Sequence, residues 1–252
     1  MSGHSKWATI KRKKEATDSK RSSMYAKLLR AVEVAAREGG GNVDGNMTLA
    51  SAVEKAKSFS VPNDNIDRAI KRGTGELADG ARYEELQYEG YAPGGVALLI
   101  QALTDNRNRT GQEIRHAFTK HNGNLGEQGS TAWMFARKGL IAVEKDTAPD
   151  EDGLLELALE AGAEDLNDSE SSWEIISDAG TVKSVSHALE QAGVPVASAE
   201  ITMLPQTAVP VDGGEARQVL GLIESLEDLD DVQAVYANFD IPDSVMEAFE
   251  DA

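Results

Sequence analysis

The residues best equipped for chemistry in this chain are cations. The run TDNRNRT at 104–110 sets Arg107 and Arg109 in what reads as a loop between an apolar strand and the start of a helix, with Arg115, His116 and Lys120 one and two turns further along. Free backbone amides and the positive end of a helix dipole favour an anion at such a place. The simplest anion is a phosphate of DNA or RNA; the alternative is a tight polar connection in which Asp105 and the Asn side chains bond their own backbone. A second group, Lys6, Lys11, Arg12, Lys13, Lys14, Lys20 and Arg21, suits phosphate binding by counterion release, which needs no sequence readout. Trp7, among these charges, is assigned to packing. Arg68, Lys71 and Arg72 close a helix in RAIKRG, where cations can meet phosphate or simply complement the helix dipole. Lys55 and Lys57 read as ordinary surface.

Other chemistry lacks its residues. The chain has no Cys, which excludes disulfides, thiolate nucleophiles and Cys-based metal sites. Its four histidines, at 4, 116, 121 and 187, show no spacing of a triad or a metal site. GGGNVDGN is glycine-rich but lacks the Lys and Ser/Thr of a phosphate-cradling loop, so it reads as a helix-to-helix connection. GNLGEQGS contains Ser130 without a partnering base. The carboxylates after 139 are dispersed with no acid/base pair among them. The expectation is a protein that is not an enzyme and that uses no cofactor and no metal.

Charge along the chain separates sharply. Residues 1–80 carry fifteen basic and ten acidic side chains, residues 81–138 seven and six, and residues 139–252 three and twenty-seven, within a formal net charge of -18. A polyanion is drawn to the front and repelled by the back, although negative charge also keeps a crowded protein dissolved. The acidic part is a candidate surface for a protein partner. No apolar run approaches the ~20 residues of a membrane span, and no apolar segment follows the basic start, so no membrane contact and a cytoplasmic location are expected.

These cations must be positioned by elements that the periodicity outlines. Tyr25, Leu28, Leu29, Val32, Ala35 and Ala36 predict a helix over 15–38; a second runs from Leu49 to Phe59 behind Thr48 as cap, and a third follows Asn63 as cap and ends at Gly73. After about 82, YEELQYEGY and VALLIQALTD predict two adjacent strands about the turn APGG. A helix over 110–121 opens on the capping box Thr110 to Glu113, and STAWMF reads as a strand. Residues 139–205 follow the order βαββαβ, the ferredoxin-like arrangement. One more helix, with Asp212 and Glu215 at capping-box spacing, and the strand VQAVYANFD return to the earlier sheet. The fold class expected is α+β and multidomain: a helical basic domain over 1–81, a discontinuous α+β domain over 82–138 and 206–252, and an inserted acidic ferredoxin-like domain over 139–205.

GHSKW at 3–7, PNDNIDRAIKRGTGE at 62–76, YEGYAPGGVA at 88–97, TDNRNRT at 104–110 and GNLGEQGS at 123–130 occur in this order, and on them the chain resembles the YebC/PmpR family. The family commonly has a His within the run that here reads Ile10, Lys11, Arg12, Lys13, and a Gly where Ala92 stands. The resemblance implies a helical first domain, an α+β second domain and a third, ferredoxin-like domain inserted in it. It also implies a regulator of gene expression: bacterial members are described as DNA-binding transcriptional regulators, mitochondrial relatives as translational activators, and some bacterial members look ribosome-associated. A DNA-binding transcriptional regulator is therefore the first expectation. A translation factor binding ribosomal RNA is the second, because the three-helix start shows few Asn, Gln or Arg placed to read bases.

Overall fold

Apolar side chains at three- and four-residue spacing wind the front of the chain into α1 (Asp18–Gly39), α2 (Met47–Ser58) and α3 (Asn63–Gly73). A computed structural model describes residues 18–77, 82–169, 172–242 and 245. In it Leu28, Val32 and Ala35 of α1, Leu49 and Val53 of α2 and Ile66 of α3 share one core.

Two caps differ from expectation. Asn46, not Thr48, caps α2: its backbone is extended, its Oδ1 accepts from the Leu49 amide at 3.1 Å, and its Nδ2 donates to the carbonyls of Ala35 at 2.8 Å and Gly40 at 2.9 Å. Thr48 lies inside the helix, where it has no free amide to take. At α3 the cap position is Pro62, with no side-chain bond; its carbonyl receives the amides of Asn65 and Ile66 and leaves Asn63 as the first helical residue. Asn46→Ala removes a cap and two buried donor contacts, and should cost about 2 kcal/mol of unfolding free energy in a urea titration. Asn46→Asp should recover only the capping part.

Next in chain order come β1 (Glu84–Tyr91), β2 (Ala97–Thr104), α4 (Arg107–Lys120), β3 (Asn124–Leu125), β4 (Phe135–Glu144) and α5 (Glu151–Glu160). They are followed by β5 (Ala163–Asp168), β6 (Ser172–Asp178), α6 (Val182–Gln191), β7 (Ser198–Pro205), β8 (Val209–Pro210), α7 (Gly213–Glu227), β9 (Val232–Ala237) and β10 (Phe239–Asp240). The described residues are thus α+β.

A first sheet has the order β3-β1-β2-β9. β1 and β2 pair antiparallel from Glu84↔Thr104 to Tyr91↔Ala97 about a turn in which Gly94 has φ 76°. A Cβ there would stand 2.6 Å from Val211 Cγ1, so both backbone and packing require glycine. α4 and α7 cover one face through Leu98, Ile100, Ile114, Phe118, Leu220 and Leu222. α4 starts at Arg107, three residues before the expected capping box, because Asn106 takes the cap and accepts from the Arg109 amide at 3.2 Å. Thr110 is buried inside the helix. Asp212 precedes α7 but makes no side-chain cap bond.

A second sheet has the order β5-β6-β4-β7, every neighbour antiparallel, with a core from Ile141, Val143, Leu154, Ile175, Val185 and Leu189 shared with α5 and α6. STAWMF is not a strand: Ala132–Met134 form one 3-10 turn, and β4 begins at Phe135 and runs without a break through 138 and 139. Its first pairs are with β7 alone, Phe135↔Pro205, Ala136↔Leu204 and Arg137↔Met203, and the Gln206 amide donates to the Met134 carbonyl at 2.8 Å. After β7 the chain returns to the first sheet, where β9 lies antiparallel beside β2. α1 also docks on this sheet's edge: Ser23 Oγ donates to Asp230 Oδ1 at 3.2 Å, and Lys27 Nζ donates to the Glu227 carbonyl.

Candidate nucleic-acid interface

The arginines of TDNRNRT do not sit on a loop; they form the first turn of α4, and the turn divides them. Arg109 is tied down, although its side chain stays 43% exposed. Its guanidinium donates to Asp231 at 2.7 Å and to Asp105 at 2.8 Å. Asp231 is 1% exposed and collects further bonds from Arg30 Nη1 at 2.9 Å, Thr104 Oγ1 at 3.0 Å and Thr110 Oγ1 at 2.7 Å. Burial alone would raise this carboxyl, but the bonds from Arg109, Thr110 and Thr104 overcome it and hold Asp231 below the usual carboxylate range. The same contacts raise Arg109 above its ordinary value. Arg30 also donates to the carbonyls of Leu103 and Asp230, so one carboxylate ties α1, the end of β2, the start of α4 and the approach to β9. Thr104, Thr110 and Asp231 lie up to 127 residues apart in the chain, and nothing local in the sequence marks them as partners.

Arg107 points outward. It is largely exposed, and its one ion pair among the described residues, to Glu84 at 3.7 Å, is long and solvated. Arg115 is exposed, with no ion pair among the described residues. Between them, Gly111 lies over Tyr88 of β1: a Cβ at 111 would be 3.6 Å from the Tyr88 hydroxyl. Burial pushes that phenol up against the opposing influence of Arg107, so the hydroxyl is a proton donor at neutral pH.

The RAIKRG trio is also divided. Arg72 Nε bonds Glu33 at 3.0 Å, and Arg37 takes the other oxygen at 3.0 Å. Glu33 is 3% exposed, so Arg72 neutralises a buried charge that joins α1 to α3. Arg68 and Lys71 stay exposed without such partners among the described residues. Arg68 lines an open cleft of about 530 Å³ with Leu29, Arg30, Arg72, Leu77 and Tyr83. Lys6, Lys11, Arg12, Lys13 and Lys14 lie outside the described residues, as do the side chains of Lys20 and Arg21, whose backbone belongs to the first turn of α1.

Another buried carboxylate organises GNLGEQGS. Glu89, 2% exposed, accepts the amides of Gly129 at 2.8 Å, Thr131 at 2.7 Å and Ala132 at 2.8 Å. Burial opposes ionisation, but these amides hold the carboxyl below its ordinary value. The loop is therefore stapled to β1, and the Ser130 carbonyl accepts from Tyr91 Oη and from Trp133 Nε1, which steadies an indole that is 67% exposed. Sequence reasoning did not single out Glu89 or Trp133. Among the described residues no group of His, Asp and Glu could hold a metal ion, and no helix is long and apolar enough to cross a membrane.

Comparisons with known proteins agree along nearly the whole length. A family model described as "TACO1/YebC protein N-terminal domain" matches residues 5–76, and one described as "TACO1/YebC second and third domain" matches residues 83–239. A "Probable transcriptional regulatory protein" of Syntrophus aciditrophicus is 54% identical over 247 residues, covering 98% of both chains. One of the same name from Natranaerobius thermophilus is 55% identical over 249 residues, 98% of this chain and 99% of that one. The crystal structure of a conserved hypothetical protein from Aquifex aeolicus superposes with a TM-score of 0.78 at 47% identity, covering 90% of this chain and 93% of the other.

Proposed function

Because this chain belongs to the TACO1/YebC family, also written YebC/PmpR, we propose that it is a non-enzymatic regulator of gene expression that binds nucleic acid, in the first place DNA, as a transcriptional regulator. The names of its relatives support regulation at that coarse level. The observation that carries the binding is charge placement. Fifteen basic side chains lie in the first 80 residues and three after 138, and the exposed cations Arg68, Lys71, Arg107 and Arg115 stand on helices of the front half. A phosphate backbone would meet these and stay clear of the acidic part, which is left for a protein partner. In this reading the chain divides into a helical domain over 1–81, an α+β domain over 82–138 with 206–252, and a ferredoxin-like insertion over 139–205.

One observation favours ribosomal RNA instead. The exposed residues of α2 and α3 mix Lys55, Lys57, Arg68 and Lys71 with Glu54, Asp64 and Asp67, a surface suited to phosphate placement and poor in groups that read base edges. Sedimentation of native lysate separates the two readings. A protein that travels with ribosomes and leaves them as salt rises is a translation factor; one that stays in light fractions and protects a promoter from nuclease is a transcriptional regulator. Under either, reversing Lys11, Arg12, Lys13 and Lys14 to Glu is expected to weaken binding by about ten-fold at physiological salt and to flatten its salt dependence. Unchanged affinity would remove the basis of the proposal.

A further inference from the structure

We propose that Arg107, Gly111, Arg115 and Tyr88 form a seat for one phosphodiester group of a polynucleotide, an inference that rests on the nucleic-acid reading above. Positions 107, 111 and 115 of α4 recur every four residues and lie along one stripe of the helix. The outer two are exposed arginines about 12 Å apart along the axis. Leaning toward each other, two such side chains close around a single phosphate, and the forked guanidinium suits phosphate oxygens better than any other cation.

The middle position is the informative one. Glycine inside a helix is unfavourable relative to alanine, so its presence needs a reason. Gly111 is helical, and a Cβ would meet only the Tyr88 ring and hydroxyl at 3.6–4.0 Å, ordinary contact distances. Neither backbone nor packing requires glycine there. What its bare surface does is leave the Tyr88 hydroxyl open to a visitor; any long side chain would roof it. That hydroxyl has no hydrogen-bond partner among the described residues, although its ring packs on the core. The charges around the seat favour an anion. Glu84 holds Arg107 only at 3.7 Å and can be exchanged, while the nearby Asp231 is already neutralised by Arg109 and Arg30. Arg109 is thereby excluded from the seat and serves to position the turn that presents Arg107.

The test uses the full chain and three labelled probes of one sequence, a single-stranded RNA, the matching single-stranded DNA and its duplex, with affinity read by fluorescence anisotropy. Tyr88→Phe removes one oxygen and should weaken binding about ten-fold with an unchanged melting profile. Gly111→Leu should weaken it at least as much while holding or raising the melting midpoint, since a helix former replaces glycine. Arg217→Ala, on α7 away from the stripe, is the control and should bind as wild type. Weakening on the RNA probe alone assigns the seat to RNA, on both DNA probes alone to DNA, and on all three to the shared phosphodiester; each supports it. If wild type binds the probes and both variants match it, the seat is overturned while the nucleic-acid reading stands. If wild type binds none, that reading fails and the seat with it.

Discussion

Asp231→Ala is expected to lower the unfolding free energy by about 3–5 kcal/mol, a range typical for removing one partner of a buried charge cluster. The carboxylate is 1% exposed and receives Arg30, Arg109, Thr104 and Thr110. Without it, the Arg30 side chain, 16% exposed, keeps only backbone carbonyls and the Tyr83 ring and loses its counter-charge, the buried Thr104 hydroxyl loses its acceptor, and Thr110 falls back on the Asn106 carbonyl. Asp231→Asn should cost less, because the hydroxyls keep an oxygen to donate to while the arginines lose their counter-charge. A urea titration followed by circular dichroism measures both; a loss below about 1 kcal/mol for alanine would show that the cluster merely balances its own desolvation. Local opening should also appear as faster amide exchange in the first turn of α4, which the cluster fixes.

Glu89→Ala is the second large expectation, at about 2–4 kcal/mol, because three loop amides lose their acceptor at once. Exchange at Gly129, Thr131 and Ala132 should accelerate far more than exchange in the helical core, and the loss of that contrast would refute the staple. The carboxyls of Glu89 and Asp231 both titrate below their ordinary values. Groups depressed on folding contribute stability that is complete above the unfolded-state value and disappears as pH falls through the folded-state value. Both contributions should therefore be intact at neutral pH and be lost in acid, below about pH 4.5. Glu89→Gln combined with Asp231→Asn should flatten that acid limb.

How far the sequence reaches is clear from particular residues. The spacing of Leu28, Val32 and Ala35, or of the apolar run 96–100, is a local consequence of burial and reports helix and strand directly. Caps are harder, since TDNRNRT offers Asn106 and Thr110 as rivals and the capping-box pattern picks the wrong one. Asn106 wins because Thr110 is taken into the helix by Thr104 and Asp231. The division of the arginines was not legible at all. Arg107 and Arg109 are alike in sequence, and besides the neighbouring Asp105 it is a carboxylate 122 residues later that ties one of them down. Glu89 and its loop amides, about forty residues apart, are equally silent as text.

The paired start of β4 and end of β7 has a mechanical consequence. The chain passes from the first sheet to the second through one strand and returns through its hydrogen-bonded neighbour, Phe135↔Pro205 and Ala136↔Leu204. A single connecting peptide would act as a swivel; a two-stranded ribbon resists shear and splaying, and yields most readily to twist. Whatever seizes the acidic part therefore gains a stiff handle, and torque applied there is delivered to the sheet that carries Tyr88 and underlies α4.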